Sequence, residues 1–185
     1  MKAALFLDRD GTIIESVHYL NCKEQVVVLP KVVRALRELQ SLGFLLIIVT
    51  NQAAIKKGLL SLEGLEEIQN HLSFILEKEG VKIDDWYFSP EAMIGKDREV
   101  VEFRNRKPGP GMLLDAAEEH NIDLSKSWMI GDMLSDTLAG RNAKVGSTIL
   151  LTTGLSSDEN TSHYSVDFIA RTMLEAKEII LNSMR

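Results

Sequence analysis

Four short apolar runs, each followed at once by polar residues, constrain the fold of this chain more than any other feature. In chain order they cover residues 3–7, 44–49, 127–130 and 147–151. Between them lie longer amphipathic segments, such as residues 32–42 and 62–76, in which apolar side chains recur at helical spacing. Strands that alternate with helices form a parallel sheet that is covered on both faces. The sequence therefore predicts an α/β fold: a three-layer, Rossmann-like parallel sheet with helices on both faces.

Two longer segments interrupt this alternation. Residues 12–30 follow the first apolar run, and residues 89–111 are polar, of mixed charge and punctuated by glycines and prolines. Both are longer than ordinary connections, and loops at the carboxyl ends of parallel strands commonly carry ligand contacts. We expect a single domain over residues 1–185, with loop insertions at 12–30 and 89–111 and no separate cap domain.

Composition excludes several classes of protein. The net charge of −6, from 21 basic and 27 acidic residues, argues against a nucleic-acid surface. The single cysteine, Cys22, cannot form an internal disulfide or supply a thiolate cluster for zinc. The apolar stretch 44–49 is too short to cross a membrane, and no targeting segment is visible. We expect a cytoplasmic monomer that binds neither nucleic acid nor membrane.

Polar residues at the strand ends point to one site. In a parallel sheet the carboxyl ends of neighbouring strands meet at one edge, which brings together Asp8, Asp10, Thr50, Asp132 and Lys107. Carboxylates this close repel one another unless a cation neutralises them. Oxygen ligands suit Mg²⁺. The sequence therefore predicts a magnesium site at this edge, and the cofactor follows from the carboxylates.

The same residues resemble the motifs of the haloacid dehalogenase (HAD) superfamily of Mg²⁺-dependent phosphatases. The matching positions are Asp8-Arg9-Asp10-Gly11-Thr12, Thr50, Lys107, and Gly131-Asp132 with Asp136. They occur in the family's order and spacing across essentially the whole chain. The resemblance implies an HAD-like fold and hydrolysis of a phosphate ester through an aspartyl-phosphate.

The chemistry of these residue types supports specific roles. Asp8 is the predicted nucleophile, because a carboxylate attacks phosphorus once cations offset the repulsion between two anions. Asp10 is the predicted general acid/base. Lys107 is predicted to neutralise charge that grows on the phosphoryl oxygens, and Thr50 to donate hydrogen bonds to them. Asn51 either donates to the same oxygens or is a turn residue.

The predicted metal ligands are Asp8, Asp132 and the backbone carbonyl of Asp10. Gly11 allows the chain to turn beside the phosphate. Asp136 either orients a metal-bound water or Lys107, or caps the helix in which it lies.

Further motifs resemble the branch of the superfamily that contains the heptose 1,7-bisphosphate and histidinol-phosphate phosphatases. They are Tyr19-Leu20, Leu29-Pro30, Thr50-Asn51-Gln52 and Arg106-Lys107-Pro108. The resemblance implies a small sugar phosphate as substrate, with a heptose 1,7-bisphosphate and its C7 phosphate favoured. Arg106 either binds a second phosphate or pairs with Glu102. His18 and Tyr19 lie in the loop that shapes the substrate entrance in this family.

One departure from that branch concerns zinc. The usual Cys and His ligands correspond here to Ser89, Glu91, Phe103 and Asn105, so we expect no zinc and a loop ordered by Phe103 and its prolines. Histidinol phosphate or another small phosphomonoester is the alternative substrate. Carbon–halogen hydrolysis needs neither Asp10 nor Mg²⁺ and fits less well. The non-enzyme alternative is a degenerate phosphate-binding module.

Overall fold

A computed structural model describes residues 1–97, 99–153 and 166–184. Within these residues one sheet of parallel strands has the order β3-β2-β1-β4-β5-β6. The strands are β1 (Ala4–Leu7), β2 (Leu45–Asn51), β3 (Asp85–Ser89), β4 (Trp128–Gly131), β5 (Ser147–Leu151) and β6 (Phe168–Ala170). The predicted α/β fold class is confirmed.

Helices connect the strands and cover both faces of the sheet. They are α1 (Val32–Ser41), α2 (Ala53–Lys56), α3 (Leu62–Lys78), α4 (Gly111–Glu119), α5 (Leu134–Asn142) and α6 (Met173–Ser183), with short 3₁₀ turns at Lys23–Gln25 and Leu124–Lys126. Successive side chains of a strand point to opposite faces. Accordingly Leu5 and Leu7 pack with the core under α1, α3 and α6. Ala4 and Phe6 pack with the core under α4 and α5.

The sequence patterns identified the central strands and missed the two edge strands. β1, β2, β4 and β5 lie in the middle of the sheet and are almost entirely buried, so each appears in the sequence as a mainly apolar run. β3 and β6 lie at the edges. Most of their residues are only partly buried or are exposed. β3 begins with Asp85 and ends with Ser89, and β6 is only three residues long.

Two helices begin at residues whose side chains cap them. The hydroxyl of Ser61 accepts a hydrogen bond from Gly64 N at 3.0 Å before α3. The hydroxyl of Thr172 accepts one from Glu175 N at 3.2 Å before α6. Each cap satisfies an amide that has no partner inside its helix.

The segments predicted as loops lie beside the carboxyl edge of the sheet. Residues 12–30 contain one 3₁₀ turn and return to the core at Ile13 and Ile14, which are fully buried. Between β3 and α4, the described residues 90–97 and 99–110 form no helix or strand. No helix among the described residues combines the length and apolar character that a membrane span requires.

Candidate active site

The predicted site residues meet at the carboxyl edge of the sheet. Asp8 follows β1, Thr50 and Asn51 end β2, and Asp132 follows β4, which neighbours β1 on its other side. A cavity of about 280 Å³ opens there. Its walls comprise Asp8, Asp10, Ser16, Thr50, Asn51, Met93, Val100, Glu102, Phe103, Arg106, Lys107, Pro108, Asp132, Met133, Ser135 and Asp136. A cavity of this size accommodates a small ligand.

A buried lysine organises the floor of the cavity. Lys107 Nζ donates to Asp8 Oδ1 at 2.6 Å, to Asp136 Oδ1 at 2.8 Å and to the carbonyl of Val49 at 2.7 Å. Burial disfavours the charged amine, but the carboxylates of Asp136 and Asp8 outweigh this and raise the pKa of Lys107. The lysine is therefore a fixed positive charge beside Asp8.

The carboxylates around Lys107 carry more negative charge than one ammonium offsets. Oxygen atoms of Asp8, Asp132 and Asp136 lie within 4.8 Å of one another. Burial, together with the neighbouring carboxylates, raises the pKa of Asp8 to about 7 and that of Asp132 to about 8. Asp132 Oδ1 is buried and has no hydrogen-bond partner. This all-oxygen donor set fits a hard divalent cation such as Mg²⁺.

Two glycines permit this close packing of acidic groups. Gly11 has φ +82°, and a Cβ atom there would lie 2.3 Å from Asp132 Oδ2. A Cβ atom at Gly131 would lie 2.1 Å from Asp136 Oδ2. Any side chain at either position would displace a carboxylate.

The carboxylate of Asp10 is held by two residues that the sequence did not single out as site residues. Arg9 is 1% exposed, and its Nη2 approaches Asp10 Oδ2 to 2.8 Å and Asp10 Oδ1 to 3.1 Å. Gln52 Nε2 donates to Asp10 Oδ2 at 2.9 Å and to Thr50 Oγ1 at 2.8 Å. The sequence signal for Arg9 was its position between two acidic residues at the end of a strand, because a charged residue buried there needs a partner.

Asn51 and Asp136 hold the lysine in place from two sides. The Asn51 side chain accepts from Lys107 N and donates to Lys107 O, both at 3.0 Å. Asp136 Oδ2 accepts from Met133 N at 2.9 Å, while its other oxygen contacts Lys107. Both alternatives considered for Asp136, a helix cap and a partner of Lys107, therefore occur together.

The outer wall of the cavity combines one cation with apolar side chains. Arg106 lines the cavity, and its Nη1 donates to the carbonyl of Glu91 at 2.6 Å. Burial lowers the pKa of Arg106 despite the nearby carboxylates of Glu102 and Glu91. Glu102 accepts hydrogen bonds from two backbone amides, at Ile94 (2.8 Å) and Gly95 (2.5 Å). Met93, Val100 and Phe103 supply apolar surface.

His18 and Tyr19 lie away from these groups. Neither side chain lines the cavity, to which the 12–30 segment contributes Ser16 instead. Tyr19 Oη accepts a hydrogen bond from Lys57, whose amine lies 4.7 Å from the centre of the Tyr19 ring. The ring of His18 lies 4.2 Å from that of Tyr19. Their contact with a substrate stays a prediction.

Two of the positions that the sequence analysis compared with zinc ligands, Ser89 and Asn105, make other contacts here. Ser89 Oγ accepts from Glu91 N at 3.4 Å. The Asn105 side chain contacts Asp115 at 3.4 Å. Beside it, Arg104 pairs with Asp115 at 2.5 Å and ties the loop to α4. The absence of zinc stays a prediction.

Comparisons with known proteins agree with this geometry. A family model described as HAD-hydrolase-like matches residues 104–176. The D-glycero-beta-D-manno-heptose-1,7-bisphosphate 7-phosphatase of Pasteurella multocida (strain Pm70) is 37% identical over 173 residues, 92% of this chain and 94% of the relative. The phosphatase of the same name from Escherichia coli (strain K12) is 38% identical over 155 residues, 82% of this chain and 80% of that one. This chain belongs to the HAD-like hydrolases, in the same family as these phosphatases.

A solved structure shows the same fold. It is D,D-heptose 1,7-bisphosphate phosphatase from B. bronchiseptica, complexed with magnesium and phosphate. The TM-score is 0.84 at 22% identity, with 99% of each chain covered. The family predicted for this HAD-like hydrolase from its motifs is confirmed.

Proposed function

We propose that this HAD-like hydrolase is a Mg²⁺-dependent phosphatase that removes the C7 phosphate of D-glycero-D-manno-heptose 1,7-bisphosphate. The observation that carries the proposal is the position of Asp8: a buried carboxylate facing a cavity, 2.6 Å from a lysine and beside a cluster of acidic oxygens. The names of relatives that are 37–38% identical over most of the chain support the substrate.

In the first step Asp8 is the nucleophile. A carboxylate oxygen of Asp8 bonds to phosphorus while the bond from phosphorus to the ester oxygen breaks, and its electron pair goes to the departing alkoxide. Asp10, which lines the same cavity, gives that oxygen a proton. Lys107 Nζ stabilises negative charge on the phosphoryl group, and Thr50 donates to its oxygens.

In the second step water replaces Asp8 on phosphorus. Asp10, now a carboxylate, takes a proton from the water, whose oxygen bonds to phosphorus. The bond from phosphorus to Asp8 breaks, and its electrons return to the Asp8 carboxylate. Inorganic phosphate is released, and the acid/base is protonated for the next cycle.

Asp8, Asp132 and the backbone carbonyl of Asp10 would hold Mg²⁺. The unpartnered oxygen of Asp132 and the excess of buried acidic oxygens over lysine support this ligand set. The cation supplies positive charge that offsets the repulsion between the Asp8 carboxylate and the anionic substrate. Asp136 is a supporting residue, because its oxygens already contact Lys107 and the start of α5.

The outer part of the cavity suits a substrate with a second phosphate. Arg106 is half-buried and lines the cavity, so its guanidinium fits a phosphate on the non-reacting end of a sugar. We expect no separate cap domain over the cavity. The single domain over residues 1–185, the monomeric state, the cytoplasmic location and the lack of nucleic-acid binding stay predictions.

Phosphate release from a panel of esters tests this function. The panel contains both anomers of heptose 1,7-bisphosphate, fructose 1,6-bisphosphate and histidinol phosphate, with and without Mg²⁺, and Asp8→Asn is the blank. We expect Mg²⁺-dependent turnover that strongly favours one heptose anomer. Equal, slow turnover of all esters would refute the substrate, and faster turnover of histidinol phosphate would replace it.

A further inference from the structure

The pairing of Arg9 with Asp10 is the strongest feature that the proposed mechanism leaves unused. Among the described residues, Arg9 is the largest side chain that is almost completely buried, at 1% exposure. Its Nε lies 3.2 Å from both Asp10 carboxylate oxygens, and its Nη2 reaches them at 3.1 and 2.8 Å. The guanidinium thus grips the carboxylate in a planar, two-pronged contact, which fixes its orientation as well as its position.

Burial of this guanidinium is costly, and little besides Asp10 offsets the cost. Among the described residues, Asp10 is the carboxylate with which Arg9 forms an ion pair, and Arg9 Nη1 is buried without a partner. Replacement of a buried ion pair by apolar side chains of similar volume is often neutral for stability or stabilising. A packing role alone therefore does not explain an arginine at this position.

Direct contact with substrate does not explain Arg9 either. Its side chain is absent from the cavity wall, whereas Asp10 is part of that wall. The Asp10 side chain is 25% exposed, so without its partners it would rotate towards solvent. Arg9 therefore reaches the reacting atoms only through Asp10.

Gln52 completes the arrangement from the other side. Its Nε2 donates to Asp10 Oδ2 at 2.9 Å and to Thr50 Oγ1 at 2.8 Å, and the side chain is buried. One amide group thereby fixes the acid/base relative to a predicted phosphoryl contact. Gln52 N donates to Ser89 O at 2.7 Å, which anchors the residue to the end of β3.

We infer that Arg9 and Gln52 are positioning residues that hold the Asp10 carboxylate where it exchanges protons with the leaving group and with water. The inference rests on the proposed function, because it assigns the acid/base role to Asp10. A positioned acid/base typically contributes about 10²–10⁴ in rate, and a misplacement of about 1 Å costs on the order of 10²-fold.

The leaving group of the substrate separates positioning from a general structural role. p-Nitrophenolate departs without a proton, so formation of the aspartyl-phosphate from p-nitrophenyl phosphate does not require Asp10. Hydrolysis of the aspartyl-phosphate still does. Loss of positioning should therefore slow the second step with this ester, and both steps with an alkyl ester.

The test is rapid-mixing kinetics of the full chain with Mg²⁺, in Arg9→Met, Arg9→Lys and Gln52→Leu. With p-nitrophenyl phosphate we expect a burst of about one p-nitrophenol per active site and then a steady rate about 10–100-fold below wild type. Phosphorylated protein should accumulate. With the heptose ester no burst is expected, because the first step is slowed as well. Arg9→Lys, which keeps the charge without the planar fork, should fall between Arg9→Met and wild type.

Controls separate this inference from other failures. Arg34→Met removes an exposed arginine of α1 and should leave both phases unchanged. Binding of inorganic phosphate should survive in all positioning variants, and its loss together with an equal fall in both phases would overturn the inference. Unchanged kinetics in both Arg9→Met and Gln52→Leu would also overturn it. Gln52→Leu keeps the test decisive if Arg9 variants do not fold.

A crystal structure of Arg9→Met distinguishes failure of this inference from failure of the proposed function. If wild type shows no turnover that depends on Asp8, the proposed function is wrong whatever the variants do. The structure of the variant still reports on Asp10. A displaced or dispersed Asp10 carboxylate supports the positioning role, and a carboxylate left in its wild-type place refutes it.

Discussion

Gly11 is the residue at which the local backbone and the metal site constrain each other most directly. Its φ of +82° already favours glycine, and a Cβ atom would lie 2.3 Å from Asp132 Oδ2. We expect Gly11→Ala to cost about 1–3 kcal/mol in the free energy of unfolding from backbone strain. Displacement of Asp132 should weaken Mg²⁺ binding and reduce kcat further. Urea unfolding, Mg²⁺ titration and phosphate release measure these effects.

Gly43→Ala is the matched control for this prediction. Gly43 also has a positive φ, +94°, but a Cβ atom there would meet nothing within 4 Å. It lies between α1 and β2, at the opposite end of β2 from the site. We expect a stability loss from strain with normal Mg²⁺ affinity. If both variants bind Mg²⁺ equally well, the close approach of Gly11 to Asp132 does not contribute to Mg²⁺ binding.

Sequence reasoning placed residues well where a strand end fixed them. Asp8 and Asp132 each directly follow an apolar strand, and Thr50 lies near the end of another, so topology alone brings them to one edge. The partners of Asp10 were not found, because a side-chain contact such as that of Gln52 across 42 residues leaves no periodic signal. His18 lies in a long loop, where no strand direction constrains the side chain.

At the scale of elements, the tie between β2 and the segment before α4 positions the lysine. The Asn51 side chain makes two 3.0 Å hydrogen bonds to the backbone of Lys107. We expect Asn51→Ala to lower stability by about 1–3 kcal/mol. It should reduce kcat about 10–100-fold, because Lys107 loses its register relative to Asp8. Steady-state kinetics and urea unfolding check both values.

Asn142→Ala is the control for that tie. Asn142, on α5, donates to the carbonyl of Pro108 at 2.9 Å and so holds the same segment one residue further on. Its loss should lower stability with a much smaller effect on kcat. An equal fall in kcat for both variants would mean that kcat depends on the position of the whole segment and not on that of the Lys107 peptide alone.

The elements that could be predicted were those whose environment is uniform. A central strand contacts helices on both faces, so most of its residues are apolar and the run is visible in the sequence. An edge strand such as β3 is only partly buried, begins with Asp85 and includes Trp86 and Tyr87, a composition that does not distinguish a strand from a loop. Local patterns therefore predicted the four central strands and not the two edge strands.

At the scale of the molecule, the sheet brings buried carboxyl groups to one edge, and their ionisation affects the stability of the fold. Burial raises the pKa of Asp8 to about 7 and of Asp132 to about 8 in the metal-free protein, from 3.8. Between pH 3.8 and about 8, the folded state binds more protons than the unfolded state. The contribution of these groups to stability therefore falls as pH rises through this range.

Mg²⁺ should reverse this trend, because it binds the ionised carboxylates and competes with protons for them. We expect metal-free protein to become less stable from pH 5 to about 8, and Mg²⁺ to stabilise it more at pH 8 than at pH 6. At about 100 times its Kd, a ligand that binds only the folded state adds about 2.7 kcal/mol. Thermal unfolding across pH with EDTA or Mg²⁺ measures this.

Asp132→Asn should abolish most of the Mg²⁺ effect, whereas Glu66→Gln, which removes one exposed charge on α3, should not. A Mg²⁺ effect that is independent of pH, or that persists in Asp132→Asn, would mean that the cation binds elsewhere.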